Sequence, residues 1–257
     1  MTEIPKDHPR YTSLVTREKL VESYQRGIVS IQGLIAQGRG EAFDYILGEK
    51  TIESANQATK AAAALLLLAK KPVISVNGNA AALAGSELVI LSKLLNAPIE
   101  VNLFHRTDER VKRIMEDLRQ RGGALVLGAK ADARIPGISH ERAKVDREGI
   151  YSADVVFVPL EDGDRCEALI KMGKKVIAVD LNPLCRTART ATITIVDNII
   201  RAVPNLIKAI QELKNLSVVE LERIVRDFDN NRNLQLGVLE IDQRLRALAS
   251  EQLSMKF

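Results

Sequence analysis

The chain has no tryptophan, and aromatic residues make up only 4% of its 257 residues. A core must therefore be filled by Leu, Ile, Val and Ala, for which a hydrophobic content of 46% is ample. Few aromatics also means few stacking platforms for bases. The net charge of +4 is spread over both signs rather than gathered in a stripe, so no nucleic-acid partner is expected. The two cysteines, Cys166 and Cys185, have neither C-x-x-C nor C-x-x-H spacing. That argues against a zinc site and for two reduced thiols in a cytoplasmic protein. The three histidines, His8, His105 and His140, are scattered, and none accompanies a Ser or Cys in a triad context. Residues 1–10 lack the apolar core of a secretory signal. The longest apolar run, 61–69, is too short to cross a bilayer, so no membrane partner is expected.

Familiar phosphate and nucleophile motifs are missing too. No G-x-G-x-x-G follows the first apolar run, which disfavours a standard NAD site, because the pyrophosphate needs that close backbone approach. Gly48-Glu49-Lys50-Thr51 fails as a phosphate loop because Glu49 separates the Gly from the Lys; it reads as a helix–helix turn capped by Thr51. G-x-S-x-G does not occur, so a nucleophile elbow is not supported.

What is present centres on residues 175–199. A short β-branched run, 176–179, has the character of a buried parallel strand and stops at Asp180-Leu181-Asn182-Pro183, a turn sequence. Arg186, Thr187, Arg189 and Thr190 follow, and a second run, 192–196, ends at Asp197-Asn198. Two strands thus deliver their carboxyl ends into polar loops, the place where open α/β sheets bind ligands. Cations, hydroxyls, a carboxylate and amides together suit a polyanion carrying a ribose or base.

The rest of the chain alternates. Helical patterns cover about 16–26, 30–48 and 51–70, and then strand-like runs at 73–76, 99–103, 124–127 and 154–158 alternate with helical stretches at 80–95, 107–120 and 165–172. Residues 130–141 read as a loop and 142–149 as a short helix. Helices at 198–215, 218–227 and 234–251 close the chain, with Asp229-Asn230-Asn231 as the break. The expectation is one α/β domain over 1–257: a helical segment (1–70), a doubly wound, mostly parallel six-stranded core (71–214) and C-terminal helices (215–257). The nearly unbroken apolar stretch 61–69 exceeds what one sheet face covers, so a homodimer is expected.

In the usual order of such a sheet, the first and fourth strands are neighbours where the order reverses. Asn77-Gly78-Asn79, the acidic turn Glu161-Asp162-Gly163-Asp164 and Asp180-Leu181-Asn182 then open on one crevice. Asn77, Gly78 and Asn79 form either a plain βα turn or a helix N-terminus holding one phosphate. Asp162 and Asp164 are either a solvated helix start or a Mg²⁺ or amine site. Gly38-Arg39-Gly40 lies inside a helix, where each Gly costs roughly 1 kcal/mol against Ala. Close helix packing and close approach of a phosphate that Arg39 neutralises are both open explanations.

Six segments carry a resemblance: IPKDHPRYTSL, LIAQGRGEAFDYILGEKT, PVISVNGNAAAL, VPLEDGDRCEAL, VIAVDLNPLCRTA and IVDNIIRAVP. In this order they closely resemble the archaeal phosphopantothenate synthetase family, also called 4-phosphopantoate–β-alanine ligase, from the lead-in to about Pro204. The tail beyond Lys214 carries little of it. The resemblance implies a Rossmann-like fold, a homodimer, and an ATP-dependent ligase of coenzyme A biosynthesis. Such an enzyme joins (R)-4-phosphopantoate to β-alanine through an acyl-adenylate, releasing AMP and pyrophosphate. It implies nucleotide contacts at Arg17, Arg39, Asp180, Leu181, Asn182, Arg186, Thr187, Asn198 and Ile199. Cys185 stands where Ser is as readily expected. Arginines and Mg²⁺ suit that chemistry electrostatically, with Arg17, Arg39 and Arg186 as candidates and Arg17 and Arg39 as the catalytic pair. Asp162 or Asp164 is the candidate base for the amine. The metal ligands are open. A non-catalytic nucleotide-binding regulatory protein is the alternative, and an oxidoreductase is disfavoured by the missing glycine fingerprint.

Overall fold

Apolar runs in this chain are short and β-branched, with turn residues at their carboxyl ends, and they become parallel strands connected through helices. The computed structural model describes residues 4–254. Three helices come first, α1 (Tyr11–Gln25), α2 (Ile31–Leu47) and α3 (Glu53–Leu68). Then β1 (Pro72–Val76) leads to α4 (Gly78–Leu95), β2 (Ile99–Val101) to α5 (Asp108–Gln120), and β3 (Val126–Leu127) to a small antiparallel pair, β4 (Ala133–Arg134) and β5 (Lys144–Val145). The second half runs β6 (Val155–Pro159), α6 (Gly163–Lys171), β7 (Lys175–Val179), α7 (Arg186–Thr190), β8 (Ile193–Ile195), α8 (Ile199–Leu213), α9 (Val218–Asp227) and α10 (Asn230–Ser254).

Six strands form one parallel sheet in the order β3-β2-β1-β6-β7-β8, so the order reverses between the paired β1 and β6. This is the Rossmann-like arrangement. Alternation along each strand divides the core. Ile74, Val76, Phe157, Ile177 and Val179 face α3, α4 and α8, whereas Val73, Val156, Val158, Val176 and Ala178 face Ile150, Cys166 and Leu169. Both faces are covered, which is why the strands are mostly apolar; the buried exceptions Ser75, Glu100 and Thr194 are hydrogen-bonded.

Several boundaries differ from the sequence reading. Helix α1 begins at Tyr11, ahead of the periodic stretch, and Arg26 ends it before Gly27, whose φ is 72°. Residues 142–149 do not form a regular helix. They make the end of a 3-10 turn, the strand β5 and part of a π-turn. Side chains from β2 and just beyond it have taken over their backbone partners. Asn102 Nδ2 donates to the Arg142 and Lys144 carbonyls (3.2 and 2.9 Å), and Glu100 accepts from Asp146 N and Ile150 N (2.9 and 2.6 Å). Thr51 does not cap α3, whose N-cap is Ile52; its hydroxyl donates to Asp197 at 2.6 Å instead. The Ala/Leu face of α3, which suggested a partner subunit, is buried within this chain by α8, α9 and α10. Exposed apolar side chains sit elsewhere, at Val21, Tyr24, Ile31 and Ile35 on α1 and α2 and at Leu236, Leu239, Leu245 and Leu248 on α10. Helix α4 is long and apolar enough to cross a membrane by composition alone, but 67% of that window is buried in the protein.

Candidate active site

A cavity of about 540 Å³ opens at the carboxyl edge of the sheet, across the β1–β6 switch point. Two long helices, α4 and α8, begin at its wall, because each follows a strand that ends there. Asn77 caps α4, its Oδ1 accepting from Ala80 N at 3.0 Å; Asn198 caps α8, accepting from Ile200 N at 3.2 Å. Both N-termini bring positive potential to the cavity. The Asn77 amide also donates to the Leu160 carbonyl (2.9 Å), tying the end of β1 to the loop after β6.

Ten of the residues singled out in the sequence line this one cavity: Arg39, Asn77, Gly78, Asn79, Asp162, Asp180, Leu181, Asn182, Asn198 and Ile199. Four lie outside its lining. Arg17 is on α1 and makes a fork to Glu41, with Nη2 to Oε1 at 2.7 Å. Arg186 pairs with Glu167. Thr187 is buried and donates to the Glu161 carbonyl at 3.0 Å. Asp164 is bonded to His140 Nε2 at 2.8 Å. Burial alone would raise the Asp164 pKa, but the bonds from His140 and Arg165 N outweigh it and hold it below the usual carboxylate range.

The Gly38-Arg39-Gly40 stretch resolves one of its two explanations. A Cβ on Gly38 would meet nothing within 4 Å, and one on Gly40 would meet only the Leu181 side chain at 3.6 Å. Helix packing does not require either glycine. The contact between α2 and α4 is made at Gly33, where the Asn79 amide donates to the Gly33 carbonyl at 2.8 Å. Arg39 is exposed on the cavity wall, has no ion pair among the described residues, and Glu41, its nearest acidic neighbour in sequence, is held by Arg17.

Asp180, just past β7, is a half-buried carboxylate on the cavity wall. Its Oδ1 accepts from Asn182 N (2.9 Å) and its Oδ2 from the Cys185 thiol (3.0 Å). Burial raises its pKa against those two bonds and the nearby Arg39. Burial and the Asp180 charge push the Cys185 thiol up to about 12, so it is a hydrogen-bond donor and not a thiolate nucleophile. The lining hydroxyl, Ser30 Oγ, accepts from Gly33 N and caps α2. Among the described residues no Lys, Thr or Tyr lines the cavity. The site therefore offers arginines, helix N-termini, amides, His105 and four carboxylates, with its serine engaged in a helix cap and its thiol protonated.

Glu161 and Asp197, named in the sequence as parts of polar loops, also line the cavity, and three lining residues escaped the sequence reading as site residues: Arg110, Arg142 and Phe104. Arg110 reads in the sequence as one charge of the helix at 107–120, and Arg142 as the start of a short helix. Arg142 is in fact buried and clamped. Its Nε donates to Asn102 (3.0 Å) and its Nη1 to Glu161 (3.1 Å) and Asp162 (2.6 Å). Among the described residues no cluster of three or more His, Cys, Asp or Glu side chains is placed to hold a metal. Asp180 fits the lesser demand of Mg²⁺ brought by nucleotide phosphates, which takes one or two carboxylates.

The class that the fold and site define is an open parallel α/β protein with a polar crevice at its switch point, lined by three arginines, four carboxylates and two helix N-termini. Comparison with known proteins is narrower. The phosphopantothenate/pantothenate synthetase family model matches residues 54–244. The chain is 56% identical over 251 residues to the 4-phosphopantoate–β-alanine ligase of Methanosarcina mazei, covering 98% of this chain and 99% of that one. It is 56% identical over 252 residues to the ligase of the same name from Thermococcus kodakarensis, covering 98% and 97%. It is 55% identical to that of Thermococcus onnurineus, over 97% and 96%. The chain belongs to the phosphopantothenate/pantothenate synthetase family, a family of enzymes.

Proposed function

We propose that this protein is a 4-phosphopantoate–β-alanine ligase of coenzyme A biosynthesis, and that it activates the acid as an acyl-adenylate. The observation that carries the reading is the cavity itself. Two helix N-termini and the guanidinium groups of Arg39, Arg110 and Arg142 meet there, and neither the lining serine nor the lining cysteine is set up as an activated nucleophile. A route in which the substrate's own carboxylate attacks needs none. One carboxylate oxygen of phosphopantoate bonds to the α-phosphorus of ATP, and the bond to pyrophosphate breaks. The β-alanine nitrogen then attacks the acyl carbon, the C–O bond to AMP breaks, and the amine proton leaves to a base.

In this reading the nucleotide lies along Asp180-Leu181-Asn182 and Asn198-Ile199, with Arg39 over its phosphates. Arg17, Arg186 and Thr187, assigned by resemblance, would reach ATP only after side-chain rearrangement or from a second copy of the chain. Mg²⁺ would arrive with ATP at Asp180 and neutralise phosphate charge. Of the two candidate bases, Asp162 is the one on the cavity wall. Given ATP, phosphopantoate and β-alanine, the purified protein is expected to release AMP, and only when both the acid and the amine are present. ADP and inorganic phosphate in equal amounts would establish an acyl-phosphate route instead, and ATP binding without turnover would favour the regulatory alternative.

A homodimer acting in the cytoplasm is part of the same proposal. Its support is now the apolar strip on α1 and α2, where Ile31 and Ile35 stand exposed on the helix that also carries Arg39. Light scattering at micromolar concentration should report twice the chain mass; monomer alone would remove the strip's explanation.

A further inference from the structure

We propose that Arg201 is a positioning residue of the active site. It ties the helix that carries Arg39 to the start of α8, and so sets the gap between the two groups that face the nucleotide phosphates. The inference rests on the nucleotide placement proposed above and deepens it.

Hydrophobic packing alone does not fix α2. Of its 17 residues only Asp44 and Leu47 are buried, while Leu34 and Phe43 are partly covered and Ile31 and Ile35 stand exposed. Apolar burial is also non-directional, so a helix with so little of it takes its exact place from directional contacts. Two polar tethers supply them. Near the start of α2 the Gly33 carbonyl accepts from the Asn79 amide at 2.8 Å. Near its end the tether is Asp44, about 7.5 Å along the helix axis from Arg39. The charged side chain that α2 buries is thus one of the two groups that hold it.

Asp44 receives a fork from Arg201, Nη2 to Oδ1 at 2.5 Å and Nη1 to Oδ2 at 3.2 Å. The same Oδ2 accepts from the Asn198 amide at 2.8 Å. Arg201 lies in the first turn of α8, where the positive end of the helix disfavours a cation. A second carboxylate offsets that cost, since Arg201 Nε donates to Asp197 Oδ1 at 2.8 Å. Asp197 also accepts from Asn198 N (2.7 Å) and, through Oδ2, from the Thr51 hydroxyl (2.6 Å) just ahead of α3. One guanidinium therefore joins α2 to the end of β8 and to the cap of α8. Its planar fork serves both carboxylates at once, which an ammonium does not. Arg201 and Asp44 stay out of the cavity lining, whereas Arg39, Gly40 and Phe43 on one side of the clamp and Asn198 and Ile199 on the other are part of it. The clamp sits behind the wall and sets its width, and a misplacement of about 1 Å at such a wall is enough to cost about 100-fold in rate.

Arg201→Lys tests this on the whole protein, because it keeps the charge that both buried carboxylates need and removes only the fork. Calorimetry should find ATP bound about 10-fold more weakly by Arg201→Lys than by wild type. In the Arg39→Ala background the same change should cost less than about 2-fold, since the group it places is already gone. Equal losses in the two backgrounds, or unchanged ATP affinity in the single variant, would overturn the assignment. A merely structural Arg201 would lower the melting temperature and leave the cycle additive. Should Arg201→Lys not fold, Asp44→Asn replaces it in the same cycle. A crystal structure of the folded variant without ligand is the second readout and does not depend on ATP binding. Arg39 Cα moved from the start of α8 by about 1 Å or more supports the clamp, and an unmoved α2 refutes it. Turnover by wild type is scored separately, so a failure of the ligase reading is told apart from a failure of the clamp.

Discussion

Arg39→Ala is expected to lower turnover by roughly 100-fold or more, the scale of losing one oriented donor to developing charge. The side chain projects from between two glycines that helix packing does not need, onto a cavity wall, with no ion-pair partner among the described residues. A guanidinium held free in that way is available to phosphate oxygens through paired hydrogen bonds. Arg39→Lys should restore only part of the rate, because a point charge lacks the fork. Stability should change by no more than about 0.5 kcal/mol, as for other exposed substitutions away from a structural contact. The bracing alternative required Glu41 or Glu49 as partner, and Glu41 is already taken by Arg17. Steady-state rates and thermal melts on one preparation read both quantities. A large loss of melting temperature with near-normal turnover would overturn the catalytic role.

The second large effect is on folding. Gly149→Ala is expected to cost about 3 to 5 kcal/mol, which for a chain of this size lowers the melting temperature by roughly 10 °C. The new Cβ would fall on Glu100 Oε2, which accepts from Ile150 N at 2.6 Å, and Glu100 is fully buried with no room to retreat. Displacing it orphans the backbone donors Asp146 N and Ile150 N. The same carboxyl makes stability depend on pH. Burial pushes the Glu100 pKa from its ordinary 4.5 up to about 7, against the pull of those two N–H groups. Between these values the folded chain holds the proton more tightly than the unfolded chain. This group's contribution to stability is therefore full below about 4.5 and falls as pH rises through 7. Denaturant melts from pH 4.5 to 8 should show that slope in wild type and a shallower one in Glu100→Gln. Equal slopes would mean that Glu100 is not the group responsible. A normal melting temperature for Gly149→Ala would mean that the β2 carboxylate does not organise this turn.

The strands were legible because the physics that makes them is local. Runs such as residues 73–76 and 176–179 are apolar on both faces, and Asn77-Gly78 and Asp180-Leu181-Asn182 end them with turn chemistry. From these the parallel sheet, its switch point and three of the loops around the cavity followed. The segment 142–149 misled because its helix-like composition is overruled at long range, by Asn102 and Glu100 seizing its backbone. Thr51 misled in the same way, since Asp197, far along the chain, outcompetes the local cap.

Element types, their order and the polar character of the strand ends are properties of neighbouring residues, and the chain alone contained them. Which of the polar residues share a cavity is a different kind of question. Arg39 and Arg186 look equivalent in sequence, yet one faces the crevice and the other an outer carboxylate. Arg110 reads as one charge of a helix over 107–120, and Arg142 as the start of a short helix. They come to line one cavity only because the sheet order sets the ends of β2, β1 and β6 side by side and packing brings α5 to the start of α4. A side chain's meaning there depends on partners dozens of residues away, and no local period or spacing encodes which partners those are.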